Sequence, residues 1–232
     1  MNNTTDHSDI LLNSYYPILV TLFCTVVLLG NIFALKTSSI FGLISPCGMI
    51  CFPFTFTICD IVTEVYGDKA ARQTIRLGLI TLLIYFCFLS IVTSLTPAPS
   101  WNKQEEWETI FAMSKLIFIA TFTAYYLGER INSFLLSTLK YICNKKYFLK
   151  RSLISTFFGV CVDTFIFNFI AFFWFFSFDI WISITISQLI LKLLYEVLGS
   201  FIASAIVPYL KKNEKLDPLT ERAWINKYLL NK

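Results

Sequence analysis

Five carboxylates fall within or beside stretches whose surroundings should be hydrocarbon: Asp60, Glu64, Glu129, Asp163 and Glu196, with only Arg130 and Lys192 as bases among them. An ionised carboxylate buried in an apolar medium costs several kcal/mol or more unless it finds a partner, water or a proton. Two bases cannot neutralise five acids, so some of the acids must meet water, hold a proton or face a molecule with hydrogen-bond donors to offer. Asp60 and Glu64, in PFTFTICDIVTEVYG, are four apart and share one face of a helix. Gln188, Lys192 and Glu196 recur every four residues, a polar stripe on another helix. Asn31 ends the first apolar run and can add an amide to the same site.

Each group also has a plainer use. A polar stripe commonly joins helices by hydrogen bonds, Lys192 can simply pair with Asp163 or Glu196, and Asn31 can make one interhelical bond. What favours a ligand cavity is convergence, because three helices send ionisable groups to similar depth beside Phe56, Phe167, Trp174 and Tyr195. Carboxylates accept from N–H donors, an amide pairs with a donor and an acceptor together, and aromatic faces stack on flat rings. A flat, hydrogen-bonding heterocycle fits these residue types, although a cation or proton pathway also uses intramembrane acids.

The elements that must position these groups are membrane helices. Of 232 residues, 56% are hydrophobic and only 15% charged, against about a quarter charged in soluble domains. Six stretches reach the roughly 20 apolar residues that a bilayer core requires. The first is predicted from Pro17 to Lys36, and the second from Ser45-Pro46 to Gly67 with a kink at Pro53. The third runs from Thr74 to Leu95, the fourth from Ile110 to Lys140, the fifth from Ser152 to Phe178 and the sixth from Trp181 to Leu210. KTSSIFGLIS and the acidic WNKQEEWE read as connections, and ERAWINKYLL in the tail as a short amphipathic piece on the membrane surface.

The whole chain therefore reads as one transmembrane domain: a polar N-terminus (1–16), a six-helix bundle (17–210) and a basic tail (211–232). The connections 67–76 and 140–151 and the tail hold fourteen of the nineteen Lys and Arg, whereas the opposite loops hold Lys36, Lys103 and Lys115. By the positive-inside rule the basic side and both termini are cytoplasmic. Helical rise then puts Asp163 and Lys192 near the midplane and Asp60 about 10 Å from the cytoplasmic end. Glu196 lies one turn deeper than Lys192, and Glu129 with Arg130 near the cytoplasmic interface.

Several classes are excluded or disfavoured. Seven cysteines, nearly all in apolar runs, read as small buried hydrophobes, and with His7 as the lone histidine no metal site is expected. HExxH, GxSxG and GxxxxGK[ST] are all absent, so neither an enzyme nor an ATPase by those routes is indicated. The basic charge is explained by topology, and no nucleic acid partner or cofactor is expected.

Three runs carry a resemblance: GMICFPFTFTICDIVTEVYGDKAAR, SLISTFFGVCVDTFIFNFIAF and QLILKLLYE ahead of a Lys-rich end. Together they resemble the queuosine precursor transporter family, also called the vitamin uptake transporter family, over about residues 25–212. The resemblance implies an all-α, six-helix fold like the substrate-binding subunits of energy-coupling-factor transporters. It also implies import of deazaguanine bases, preQ-type precursors or queuine, across a bacterial inner membrane for tRNA modification. The family's motif positions fall on Asn31, Pro53, Asp60, Glu64, Gly67, Asp163 and Lys192. The expected substrate-binding set is Asn31, Asp60, Glu64, Asp163, Gln188, Lys192 and Glu196, and the alternative is a binding subunit that needs a separate ATPase module. The chain departs from the family pattern at Asn132, Lys115 and Val160, where the family often has Asp, Arg and an amide.

Overall fold

The computed structural model describes residues 15–40, 43–112 and 114–214; the amphipathic stretch of the tail and most of the N-terminus lie outside the described residues. Six helices among them are long and apolar enough to cross a membrane. In chain order they are built from α1 (Tyr16–Phe33), α2 (Phe52–Tyr66), α3 (Asp68–Ser94), α4 (Gln104–Ala112) leading into α5 (Ser114–Ile142), α6 (Phe148–Phe172) and α7 (Phe178–Glu214).

Local chemistry sets the boundaries. Pro17 occupies the first turn of α1, where a missing N–H costs nothing. Gly67, at φ 89°, is the single residue between α2 and α3, a left-handed conformation open to glycine at little cost. Asp68 then opens α3 with its carboxylate at the positive end of the helix dipole and an ion pair to Arg72 one turn on.

The structure differs from the sequence expectation in four places. Pro53 does not kink a longer helix; it sits in the first turn of α2, after a 3-10 turn over Cys47–Ile50. The connection 37–46 forms an antiparallel hairpin, β1 (Thr37–Ile40) with β2 (Leu43–Pro46), in which Ser38 faces Ser45. Most of the acidic connection is the amphipathic helix α4, and Trp107 Nε1 donates to Thr93 Oγ1 at 3.2 Å to tie it to α3. Finally α6 stops at Phe172, where the N–H of Phe173 and the indole of Trp181 (2.9 Å) both donate to the carbonyl of Asn168.

The centre of the bundle is α2, in which every residue from Thr55 to Val65 is buried. It packs against α1, α3, α5 and α7, with Phe23, Val62, Ile75 and Leu82 in one apolar cluster and Val65, Ala203 and Val207 in another. Elsewhere large apolar side chains such as Leu22, Ile84, Phe88 and Phe165 point outward, the pattern of helices whose outer solvent is lipid. Helices α5 and α6 approach backbone to backbone at Gly128 and Gly159. A Cβ on Gly128 would lie 2.7 Å from that of Asp163, and one on Gly159 would lie 2.8 Å from that of Asn132. Small residues at this crossing bring the polar faces of the two helices together.

Candidate substrate site

A cavity of about 700 Å³, open mouth included, lies in the half of the bundle away from the basic loops. The last turns of α1, the hairpin end, the 3-10 turn, the start of α2 and the middle stretches of α5, α6 and α7 enclose it. Four of the seven sequence-selected residues line it: Asn31, Asp163, Gln188 and Lys192.

The charged pair at its wall is Lys192 Nζ to Asp163 Oδ2, 2.7 Å, with both residues buried. The ammonium also lies 4.0 Å from the centroid of the Phe52 ring and 6.0 Å from that of Phe167, within cation–π range of both faces. The Gln188 carbonyl accepts from Asn168 at 3.2 Å, so its amide NH2 is the end left for the cavity. Asn31 is the reverse: its NH2 donates back to the Val27 carbonyl at 3.0 Å, which leaves an oxygen acceptor. Tyr125 adds a buried hydroxyl with no hydrogen-bond partner. The cavity thus offers acceptors, donors and aromatic faces on different walls, as a planar heterocycle with both kinds of edge group needs.

Glu64 is at the other end of the bundle. Arg151 grips both its oxygens (2.9 and 3.1 Å), Lys211 Nζ lies 2.6 Å from Oε1, and Lys140 Nζ lies 3.7 Å away while donating to the Glu64 carbonyl. Those three cations come from the ends of α5, α6 and α7, so this cluster fastens four helices where they meet the basic side. Asp60, one turn deeper, accepts from Asn132 Nδ2 (2.7 Å), Ser152 Oγ and Thr156 Oγ1 (3.3 Å), all neutral donors. Glu196 is buried on α7, and its Oε1 has no hydrogen-bond partner. Asp60, Glu64 and Glu196 therefore do not line the cavity.

Glu129 corrects the depth expected from sequence. It is not at the interface but fully buried at mid-helix, next to the Gly128 that touches Asp163. Two further features escaped the sequence reading. Phe52 and Tyr125 look like ordinary apolar and interfacial aromatics until the 3-10 turn and α5 aim them at the cavity. Arg151, counted among topology-setting loop charges, is buried against Glu64.

Comparison with known proteins yields a consistent set. The family model for vitamin uptake transporters matches residues 46–206. A "Probable queuosine precursor transporter" of Bacillus subtilis is 28% identical over 195 residues, which cover 84% of this chain and 82% of the relative. The "Queuosine precursor transporter" of Escherichia coli is 30% identical over 135 residues, 58% of each chain. A "Probable queuosine precursor transporter" of Haemophilus influenzae is 27% identical over 143 residues, 60% of this chain and 57% of the relative. No solved structure matches.

Proposed function

The chain belongs to the vitamin uptake transporter family, and from that premise we propose that it imports a deazaguanine queuosine precursor through the bundle, with the substrate held in the cavity at Asp163 and Lys192. Under this reading the basic end and both termini are cytoplasmic and the cavity half faces the outside of a bacterial inner membrane. The protein carries its substrate without chemically changing it. The observation that supports the reading best is the cavity's inventory: one ion pair, two amides presenting opposite ends, and two aromatic faces.

In the bound state, ring N–H and amino groups donate to Asp163, ring acceptors take hydrogen bonds from Lys192 or the Gln188 amide, and Asn31 accepts from a further donor. Phe52 and Phe167 bracket the ring. Asp60 and Glu196, away from the cavity, and Glu64, at the basic end, act on helix position.

The test is queuosine in tRNA. A bacterium that neither makes nor imports the precursors is given this gene and then each base at low concentration. Queuosine should appear with at least one base, without a co-expressed ATPase, and should vanish with Asp163→Asn. If the protein reaches the membrane and no base restores queuosine, the proposal fails.

A further inference from the structure

Behind the cavity wall, one turn from Tyr125, one strong group is left unused. Glu129 on α5 has no exposed surface, and neither carboxylate oxygen has a hydrogen-bond partner. A bare carboxylate in that position is too costly to persist in the closed bundle. The groups facing it offset little of the cost. From α2 the Cys59 thiol and the Thr55 hydroxyl are weak neutral donors, while Asp60 from α2, Asp163 from α6 and Glu196 from α7 are further acids. The cation at this level, Lys192, is held at 2.7 Å by Asp163. From α3, Asp68 reaches α5 at Arg130, 3.7 Å away, on the residue after Glu129. Among the described residues no three His, Cys, Asp or Glu side chains are placed to hold a metal ion.

The same helix supplies a route to this group. Tyr125, a residue of the cavity wall, is one turn before Glu129 and on the same face, and its buried hydroxyl too lacks a partner. Beyond Glu129, Asp60 is bonded to the Ser152 hydroxyl, which lies 3.1 Å from that of Ser200 on the way to the basic end. Hydroxyls and carboxyls thus lie on both sides of Glu129, and none of them is hydrogen-bonded to it while the bundle is closed.

We infer that Glu129 is a proton-binding site that couples substrate import to a proton entering from the same side; this rests on the transport function proposed above. Glu129 carries the proton while the bundle is closed around it and releases it when opening admits water. On loading, opening admits water between the two groups: hydronium in the cavity gives a proton to the Tyr125 oxygen as the Tyr125 hydroxyl proton moves through that water to the Glu129 carboxylate, leaving neutral water, neutral tyrosine and a protonated Glu129. On release, the proton leaves toward Asp60 and the basic end.

The test uses the full-length protein in proteoliposomes, with labelled queuine and a labelled preQ-type base in parallel. Exchange of labelled for unlabelled base needs no net proton movement, whereas accumulation under a pH gradient does. One pH unit, acid outside, supports up to about tenfold accumulation per coupled proton. Wild type should approach tenfold, with matching acidification of a trapped pH dye. Glu129→Gln should exchange at the wild-type rate and accumulate nothing above equilibrium, and Tyr125→Phe should fall between them. Accumulation by Glu129→Gln equal to wild type would overturn the inference, as would a wild type that exchanges but ignores pH or follows a sodium gradient instead. A wild type that exchanges neither base overturns the transport reading and the coupling with it. Infrared spectroscopy of the purified protein checks the site apart from transport. Near neutral pH the protonated-carboxyl band of wild type should lose one component in Glu129→Gln, whatever remains belonging to the other buried acids, and Glu196→Gln should keep that component. Identical bands in wild type and Glu129→Gln would refute the proton site even where transport is observed.

Discussion

Glu64 and Asp163 are both buried carboxylates with a lysine within 2.7 Å, yet they sit in opposite halves of the bundle and in opposite states of completion. Glu64 is enclosed by Arg151, Lys140 and Lys211, every one drawn from a helix end. Asp163 has one cation, and that cation leans on an aromatic ring at the edge of a cavity. The first arrangement is saturated and offers a ligand nothing. In the second, a substrate can share the pair without leaving any charge alone. Burial of charge therefore marks both a fastening and a binding wall, and what separates them is the hydrogen-bonding capacity left over.

The largest effect expected from that contrast is at the fastening. Arg151→Met leaves Glu64 with two lysines and breaks a bidentate pair, a loss of about 3–5 kcal/mol for buried pairs of this kind. In detergent the melting temperature should fall by roughly 6–20 °C, at about 2–4 °C per kcal/mol in a chain of this size. Uptake per folded molecule should hold. A variant that melts like wild type but transports poorly would move Glu64 into the site and erase the contrast.

The next effect separates the two regions by their response to paired removal. Lys192→Met alone leaves Asp163 unpaired and should both destabilise the protein and abolish uptake. Replacing both partners with neutral residues, Asp163→Asn with Lys192→Met, should recover the stability, because removing a whole buried pair is often neutral. Uptake should stay down by about 10- to 100-fold, the worth of one or two charge-assisted hydrogen bonds. Transport that returns with stability would make this pair a second fastening. Asn132→Ala is predicted to sit between the regions: Asp60 loses one of three neutral donors, at a cost of about 1–3 kcal/mol in thermal denaturation. A change larger than that of Arg151→Met would make Asp60 the main anchor.

Much of this was legible in the sequence. Apolar runs of sufficient length, Pro17 and Gly67 located the helices, and the cost of buried charge selected Asp163 and Lys192. The failures have physical causes. The turn at 173–177 contains neither Gly nor Pro, so the Phe-rich run read as one long helix until Asn168 and Trp181 closed it. Glu129 and Arg130 read as interfacial because both come late in the long fourth apolar run, whereas adjacent residues on a helix point about 100° apart and one can be buried while the other reaches Asp68. The count of five acids against two bases failed for Glu64, since Lys140, Arg151 and Lys211 belong to loops by sequence but fold inward. Long cationic side chains at helix ends reach where the pattern of apolar residues cannot show them.

Phe52 gives the smallest predicted effect and the sharpest reading of the cavity wall. Its ring covers the Lys192 ammonium at 4.0 Å and also packs on Phe56, 4.9 Å between centroids, so one side chain both shields the charge and shapes the cavity. Phe52→Leu keeps apolar bulk and removes the ring face. The cation–π contact is worth about 0.5–2 kcal/mol, so the apparent affinity for substrate should weaken by roughly 2- to 30-fold while the melting temperature changes little. Phe52→Tyr, which restores a face, should recover most of it. If Leu and Tyr weaken uptake equally, the ring serves only as filler and the ammonium is positioned by Asp163 alone. If Leu improves uptake, Phe52 is a plug over Lys192 that substrate must displace, and the wall would then be a closed gate in this conformation, where the saturated cluster at Glu64 is a fixed joint.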